Sequence, residues 1–396
     1  MKAAPVIGKE RIAALDIIRG FALLGILLVN MPAFHSPDFL RQMYSLPENL
    51  SPSDGWVRLF FDMFVQTKFY TIFSFLFGLG FYIFISRAEQ KGLAMYRLFS
   101  RRLLILLIFG LLHLVLLWYG DILHTYALIG FLLLFFYKRS NKTIIGWAFG
   151  LLFAFYALLT AQLLFEPASF IAQRQAIGTE KLGEAIKMYQ DASYPDWITY
   201  RAKTEVTVIL SNTPFLIPSI LPMFLFGLYA GRRGIFQHPA QHVIFIKRVW
   251  FVSMLLSIPL TVLVALLHFE VLSFGARQSL ARQLFVHLSG LALCFFYISS
   301  LTLVLKKSDW QKRLRPLGFV GQMALTNYLM QTMLALSIVF AFDLFNNMSL
   351  TAGMFLSLGI YFLQIVFSSL WLRKYRFGPF EWLWRSLTYG QIQPIK

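Results

Sequence analysis

Apolar runs of bilayer-crossing length recur along this chain, at 17–34, 59–86, 103–120, 122–137, 144–165, 212–230, 249–268, 284–305, 318–341 and 351–371. A helix needs roughly 17 to 25 mostly apolar residues to cross the hydrocarbon layer. Every backbone amide in that layer must be satisfied internally, so such runs can only become helices or closed barrels. Their length selects helices. The expected fold is all-α and polytopic, with about ten transmembrane helices in a single transmembrane domain over 1–396.

Composition closes off the alternatives. Charged residues make up 14% of the chain, where a soluble domain carries about 25%. The 42 phenylalanines could not be hidden inside a water-soluble fold of this size. A formal charge of +18 would suit a nucleic-acid partner if it formed a stripe. Instead the basic residues cluster between apolar runs, so nucleic acid is excluded and membrane lipid is the expected surrounding.

Those clusters lie in the N-terminal segment, after spans 2, 4, 6 and 8, and in the tail. By the positive-inside rule both termini are cytoplasmic. The tail 372–396 then lies inside, the loop 166–211 outside, and the location is the plasma (inner) membrane. MPAFHSPDF after Asn30 lacks a small-residue cleavage pattern, so the first span reads as uncleaved. The single cysteine, Cys294, excludes an intrachain disulfide and a cysteine metal cluster, and no metal is expected. A homo-oligomer is left open.

Ionisable groups inside spans cost roughly 2.5–3.5 kcal/mol and usually face a cavity or a partner. Asp16 and Arg19 are three apart at the start of span 1, on one helical face. Gly20 beside them permits a close helix approach. Asn30 leaves the same span, Pro32 should end or kink it, and His35 should then sit at the external mouth. In span 2, Asp62 and Gln66 share a face while Lys68 points elsewhere, and the GLG at 78–80 reads as a close helix crossing. LLHLVLLWYGDILHTYALIG joins spans 3 and 4, with His113, Asp121 and His124 near an external turn. Asp121 also suits the N-cap of span 4. Three segments thus place polar groups at one depth on the outer side, which predicts an outward-open cavity for catalysis or for passage of a solute.

RIAALDIIRGFALLGILLVN, KFYTIFSFLFGLGF, YGDILHTYALIG, GQMALTNYLMQT and RFGPFEWLWRSLTYGQ together resemble the YeiB-like family of bacterial membrane proteins with a DUF418 domain. The LDxxRG…VN opening is also similar to a wider group of transmembrane acyltransferases that includes heparan-α-glucosaminide N-acetyltransferase. That resemblance implies transfer of an acyl group from cytoplasmic acyl-CoA to an envelope or extracytoplasmic acceptor. It implies Asn30 and His35 as oxyanion donor and base, with Asp62 or Asp121 orienting an imidazole and His124 near a second motif. Arg19, with Asp16 beside it and Arg101 and Arg102 nearby, would hold the CoA phosphates. The competing reading is a small-solute or proton-coupled transporter built on the same cavity; no internal repeat supports it.

Overall fold

The computed structural model describes residues 12–396; Arg11 and the basic residues before it lie outside the described residues. The chain forms α1 (Ala13–His35), α2 (Asp38–Tyr44), α3 (Pro52–Phe64), α4 (Lys68–Gln90), α5 (Met95–Leu116) and α6 (Leu123–Phe136). There follow α7 (Asn141–Phe165), α8 (Ala168–Asp191), α9 (Tyr194–Arg201), α10 (Thr207–Asn212), α11 (Ile217–Arg232) and α12 (Val243–His268). The last third comprises α13 (Gln278–Val304), α14 (Ser308–Arg313), α15 (Arg315–Gln322), α16 (Ala324–Ala341), α17 (Leu350–Lys374) and α18 (Pro379–Tyr389). Among the described residues nine helical stretches are long and apolar enough to cross a membrane, and α6 is a shorter apolar helix. This is an all-α multi-pass membrane protein, in keeping with a plasma-membrane location.

Helix α1 is the axis of the bundle and the most buried span. Its start packs against α15 at a reciprocal glycine crossing. A Cβ on Gly20 would overlap the Leu317 carbonyl, and one on Gly321 would overlap the Asp16 carbonyl. The predicted GLG crossing is also present, against α11, and only one of its two glycines makes it. Side chains at Gly78 and Gly227 would run into the Phe224 and Phe75 carbonyls respectively, whereas a Cβ at Gly80 would meet only Arg19 Nη2, at an ordinary contact distance of 4.0 Å. Helices in lipid gain little from hydrophobic burial, so close backbone approach of this kind supplies their packing.

Several boundaries differ from the sequence reading. Span 2 is broken: α3 ends at Phe64, Thr67 adopts φ +69°, and α4 begins at Lys68. Span 9 is likewise split, because Met323 leaves helical geometry and sets α15 apart from α16. The loop 166–211 is largely helical, formed by the 24-residue α8 and then α9 and α10, which lead into α11. Pro218 stands in the first turn of α11, where its missing N–H costs nothing, and Pro222 lies inside it. Pro32 does not end α1, which runs on to His35. So close to a C-terminus a proline forfeits only its own bond, and the Ser36 N–H and hydroxyl both donate to the Pro32 carbonyl at 2.9 and 2.8 Å.

The C-terminal segment is a fitted part of the bundle. Glu381 of α18 caps α16, accepting from the backbone N–H of Leu325 at 2.6 Å and of Thr326 at 3.0 Å, and from the Thr326 hydroxyl. A carboxylate at a helix N-terminus also meets the positive end of the dipole. Trp384 Nε1 donates to the Arg102 carbonyl on α5. Gly378 leaves room for this cap, since a Cβ there would crowd the Glu381 carboxylate and the Thr326 hydroxyl.

Candidate functional site

The predicted residues fall into three separate places. His35 lies on the last turn of α1 and is 3% exposed, so it is buried rather than placed at a mouth. Both ring nitrogens lack a hydrogen-bond partner among the described residues. Gly353 of α17 makes this possible, because a Cβ there would stand 2.8 Å from His35 Nε2. Around the ring lie the charges of Asp38, Arg58 and Asp54. Buried polar groups are almost always paired, so an imidazole with two free nitrogens marks a place for a ligand or water.

The charges around His35 are organised by α3, and this the sequence reading missed. Ser51 caps α3 by accepting from Asp54 N, with Pro52 in the first turn. Asp54, Arg58 and Asp62 then recur every four residues on one buried face. Asp54 Oδ1 caps α17, accepting from Thr351 N at 2.8 Å and Oγ1 at 2.7 Å. Arg58 bridges to Asp38 at 2.9 Å and to Glu48 at 3.1 Å, pinning α2 over the His35 end. The i, i+4, i+8 recurrence of DGWVRLFFD was the available signal.

Asp62 does not orient an imidazole. Its Oδ2 is buried without a hydrogen bond, and its nearest cation is Arg282 Nε at 3.9 Å. Lys68 reaches into the helix break. Its ammonium donates to the Asp62 carbonyl at 2.7 Å and to Ser289 Oγ at 3.0 Å. Thr67 Oγ1 donates to the Val286 carbonyl at 3.0 Å. The Asp62 carbonyl at the end of α3 is thus answered by Lys68 of α4, and Lys68 and Thr67 in turn tie the break to α13. Gln66 is half-buried in the same break.

Asp121 and His124 form a second and closed cluster with His113. Asp121 Oδ2 meets His113 Nδ1 and Oδ1 meets His124 Nδ1, both at 2.9 Å, while Oδ1 also accepts from His124 N at 2.8 Å. The remaining nitrogens reach Thr332 at 3.0 Å and Thr125 at 3.1 Å. Burial pushes the Asp121 carboxyl up, but the hydrogen bonds from His113 and His124 outweigh it and hold the pKa below the ordinary value. Every polar atom here has a partner, so the cluster ties α5, α6 and α16 together. Gly110 admits it, lying against the His124 backbone. The turn touches the first site through Trp118 Nε1 and Tyr119 OH, which donate to the Ala33 carbonyl at 3.3 and 3.5 Å, and through ring contacts of Trp118 with Phe34 and of Tyr119 with Phe39.

Asn30 is half-buried on α1, five residues before His35. Thr326 of α16 belongs to the Glu381 cap. Asn327 and Gln331 do share a face, and it zips α16 to α17 through Ser368 at 3.0 Å and Gln364 at 2.9 Å. Sequence reasoning also passed over Arg201, fully buried, whose guanidinium donates to the Leu114 and Val115 carbonyls at the end of α5 and to Glu205. A single arginine in an apparent loop gave no signal.

The third place is the opposite end of α1. Asp16 pairs with Arg19 at 3.0 Å, as the spacing implied. Arg19 and Arg385 of α18 are near enough to Arg102 for their charges to act on it. Arg101 lies beside Gly390, which ends α18 with φ +67°. His35 is 16 residues beyond Arg19, about 24 Å along a helix rising 1.5 Å per residue. One buried helix thus carries arginine chemistry at one end and an unpartnered imidazole at the other. No group of three or more potential metal ligands occurs among the described residues.

Fold and sites together define a class: a multi-pass α-helical membrane protein with ionisable groups buried at both ends of its first helix. The family model described as "Protein of unknown function (DUF418)" matches residues 230–391. The chain is 35% identical to the uncharacterized protein YxaH of Bacillus subtilis (strain 168), over 99% of this chain and 97% of that one. An uncharacterized 39.9 kDa protein in the amylase 3′ region of Bacillus acidopullulyticus is 32% identical over 99% of this chain and 97% of its own length. YeiB of Escherichia coli (strain K12), also uncharacterized, is 27% identical over 97% of this chain and 98% of its own. The chain belongs to the DUF418, YeiB-like family of membrane proteins. No solved structure matches it.

Proposed function

We propose that this protein is a membrane acyltransferase that takes an acyl group from cytoplasmic acyl-CoA and delivers it to an extracytoplasmic acceptor, with His35 as the base. The observation that carries the reading is the His35 imidazole, 3% exposed with both nitrogens unpartnered. Histidine can accept and return a proton near neutral pH. The positive-inside distribution puts the Arg19 end in the cytoplasm and His35 on the outer side.

In this reading His35 removes the proton from an acceptor hydroxyl or amine as that atom attacks the thioester carbonyl. A carbon–oxygen or carbon–nitrogen bond forms and the carbon–sulfur bond breaks. The departing thiolate takes the proton back from the imidazolium. The charges of Asp38, Arg58 and Asp54 surround the ring. Asn30 is the amide on the same helix available to a developing oxyanion. Arg19, with Arg101 and Arg102, holds the CoA phosphates. The His113–Asp121–His124 cluster keeps α5, α6 and α16 in place and does not touch the reacting atoms.

Calorimetric titration of the purified protein with acetyl-CoA and longer acyl-CoAs tests this. Binding is expected, lost in Arg19→Ala and kept in His35→Ala. Failure of folded protein to bind any acyl-CoA would overturn it.

One observation favours transport as a second reading: the break at 65–67 with Lys68 buried inside it. Discontinuous helices frame substrate sites in many carriers. Solute uptake by proteoliposomes that is abolished in Lys68→Met, in a protein that binds no acyl-CoA, would establish that reading.

A further inference from the structure

We infer that the C-terminal helix α18 completes a phosphate-binding site at the Arg19 end, with Arg102 as its central guanidinium. Arg102 is half-buried at the start of α5. Its Cζ stands 3.7 Å over the Trp384 ring of α18 and 4.9 Å from the Phe84 ring of α4. The Trp384 Nε1 bond to the Arg102 carbonyl at 2.9 Å fixes that ring in place. A guanidinium stacked by its face keeps its in-plane N–H groups for an acceptor, and this fork fits a phosphate.

No carboxylate among the described residues bonds Arg102. The neighbouring positive charges that act on it are Arg385 from α18 and Arg19 from α1, with the Tyr389 phenol also near. Arg101 adds a fourth guanidinium, its Nη1 2.9 Å from where a Cβ on Gly390 would stand. The acidic groups at this end have other work. Asp16 pairs with Arg19, Glu381 caps α16, and Glu89 accepts from the Tyr137 hydroxyl at 2.6 Å. Guanidiniums from three elements therefore converge without an internal carboxylate for the central one. Their repulsion is relieved by an anion from outside. A tetrahedral phosphate offers oxygens to several forks from different directions, which a planar carboxylate does not.

The ligand is a phosphate ester, and two sources supply that group at a cytoplasmic membrane surface: a soluble coenzyme and an anionic lipid headgroup. The inference extends the donor half of the acyl-transfer reading, and rests on it only for the choice of the first probe.

The experiment titrates full-length protein in neutral detergent with coenzyme A, and separately measures retention of phosphatidylglycerol against phosphatidylcholine in nanodiscs. Arg102→Gln and Arg385→Gln should each weaken coenzyme A at least tenfold, with Lys247→Gln, an exposed cation on α12, unchanged. Arg102→Lys keeps the charge and loses the fork, so it should fall between wild type and Arg102→Gln; it serves as the test if the glutamine variant does not fold. If coenzyme A fails to bind but phosphatidylglycerol retention depends on Arg102 and Arg385, the site stands with a lipid ligand and only the donor reading falls. If neither ligand responds to Arg102, the inference is overturned.

Discussion

Replacing Glu381 measures how much of this bundle its last helix holds. The carboxylate receives two backbone N–H groups and one hydroxyl, all buried at the start of α16. In Glu381→Ala the Thr326 hydroxyl can turn to another acceptor, but the Leu325 and Thr326 N–H groups keep only what the small cavity offers. A buried donor without a partner costs about 1–3 kcal/mol. Two of them give about 2–6 kcal/mol, to which loss of the dipole interaction adds about 0.3–1 kcal/mol. Glu381→Gln keeps an acceptor for the N–H groups and an amide for the hydroxyl. Burial pushes the Glu381 carboxyl up, against the hydrogen bonds from Thr326 and Leu325, so removing the charge also removes part of its desolvation cost. The glutamine variant should therefore lose only about 1 kcal/mol, the worth of one ordinary hydrogen bond. Unfolding by SDS in mixed micelles, followed by tryptophan fluorescence, reads both. Alanine within about 0.5 kcal/mol of wild type, or glutamine as damaging as alanine, would refute the capping argument.

Other perturbations separate neighbouring residues. Gly78→Ala should lower the unfolding midpoint through overpacking of about 1–3 kcal/mol, whereas Gly80→Ala, two positions on, should be nearly silent; equal effects would contradict the assigned crossing. Asp121 has its folded pKa depressed, so its stabilisation is present above its unfolded value near 3.9 and is lost as pH falls through the lower folded value. Asp121→Asn should accordingly remove the acid-dependent part of stability in that window, and a pH–stability profile unchanged by the substitution would contradict it. Lys68→Met should loosen the break between α3 and α4, seen as faster amide exchange at residues 65–68 and unchanged exchange in α16.

Nine of the ten expected spans were legible in the sequence because hydrocarbon thickness fixes helix length whatever the neighbours, whereas the fourth is a 14-residue apolar helix, α6, below spanning length. The glycine crossing at 78 and the Asp16–Arg19 pair were legible for similar reasons, being local geometry. What could not be read was which polar groups find each other across the bundle. Asp121 was assigned alternatives as a cap and as an orienting carboxylate, and it is both, toward His113 and His124. His35 was placed at a mouth because Pro32 promised to end the helix, and a proline one turn from a terminus has little left to break. Glu381 and Arg201 satisfy helix ends distant in sequence, where no spacing rule reaches.

The central claim is that His35 serves as the base in transfer of an acyl group supplied from the Arg19 end. Inside-out vesicles carrying wild type or His35→Ala, given radiolabelled acetyl-CoA, test it most directly through label recovered on lumenal or envelope material. Wild type should transfer label and His35→Ala should lose transfer while still binding acetyl-CoA. Equal transfer by both, or none by wild type across acyl chain lengths, would contradict the account.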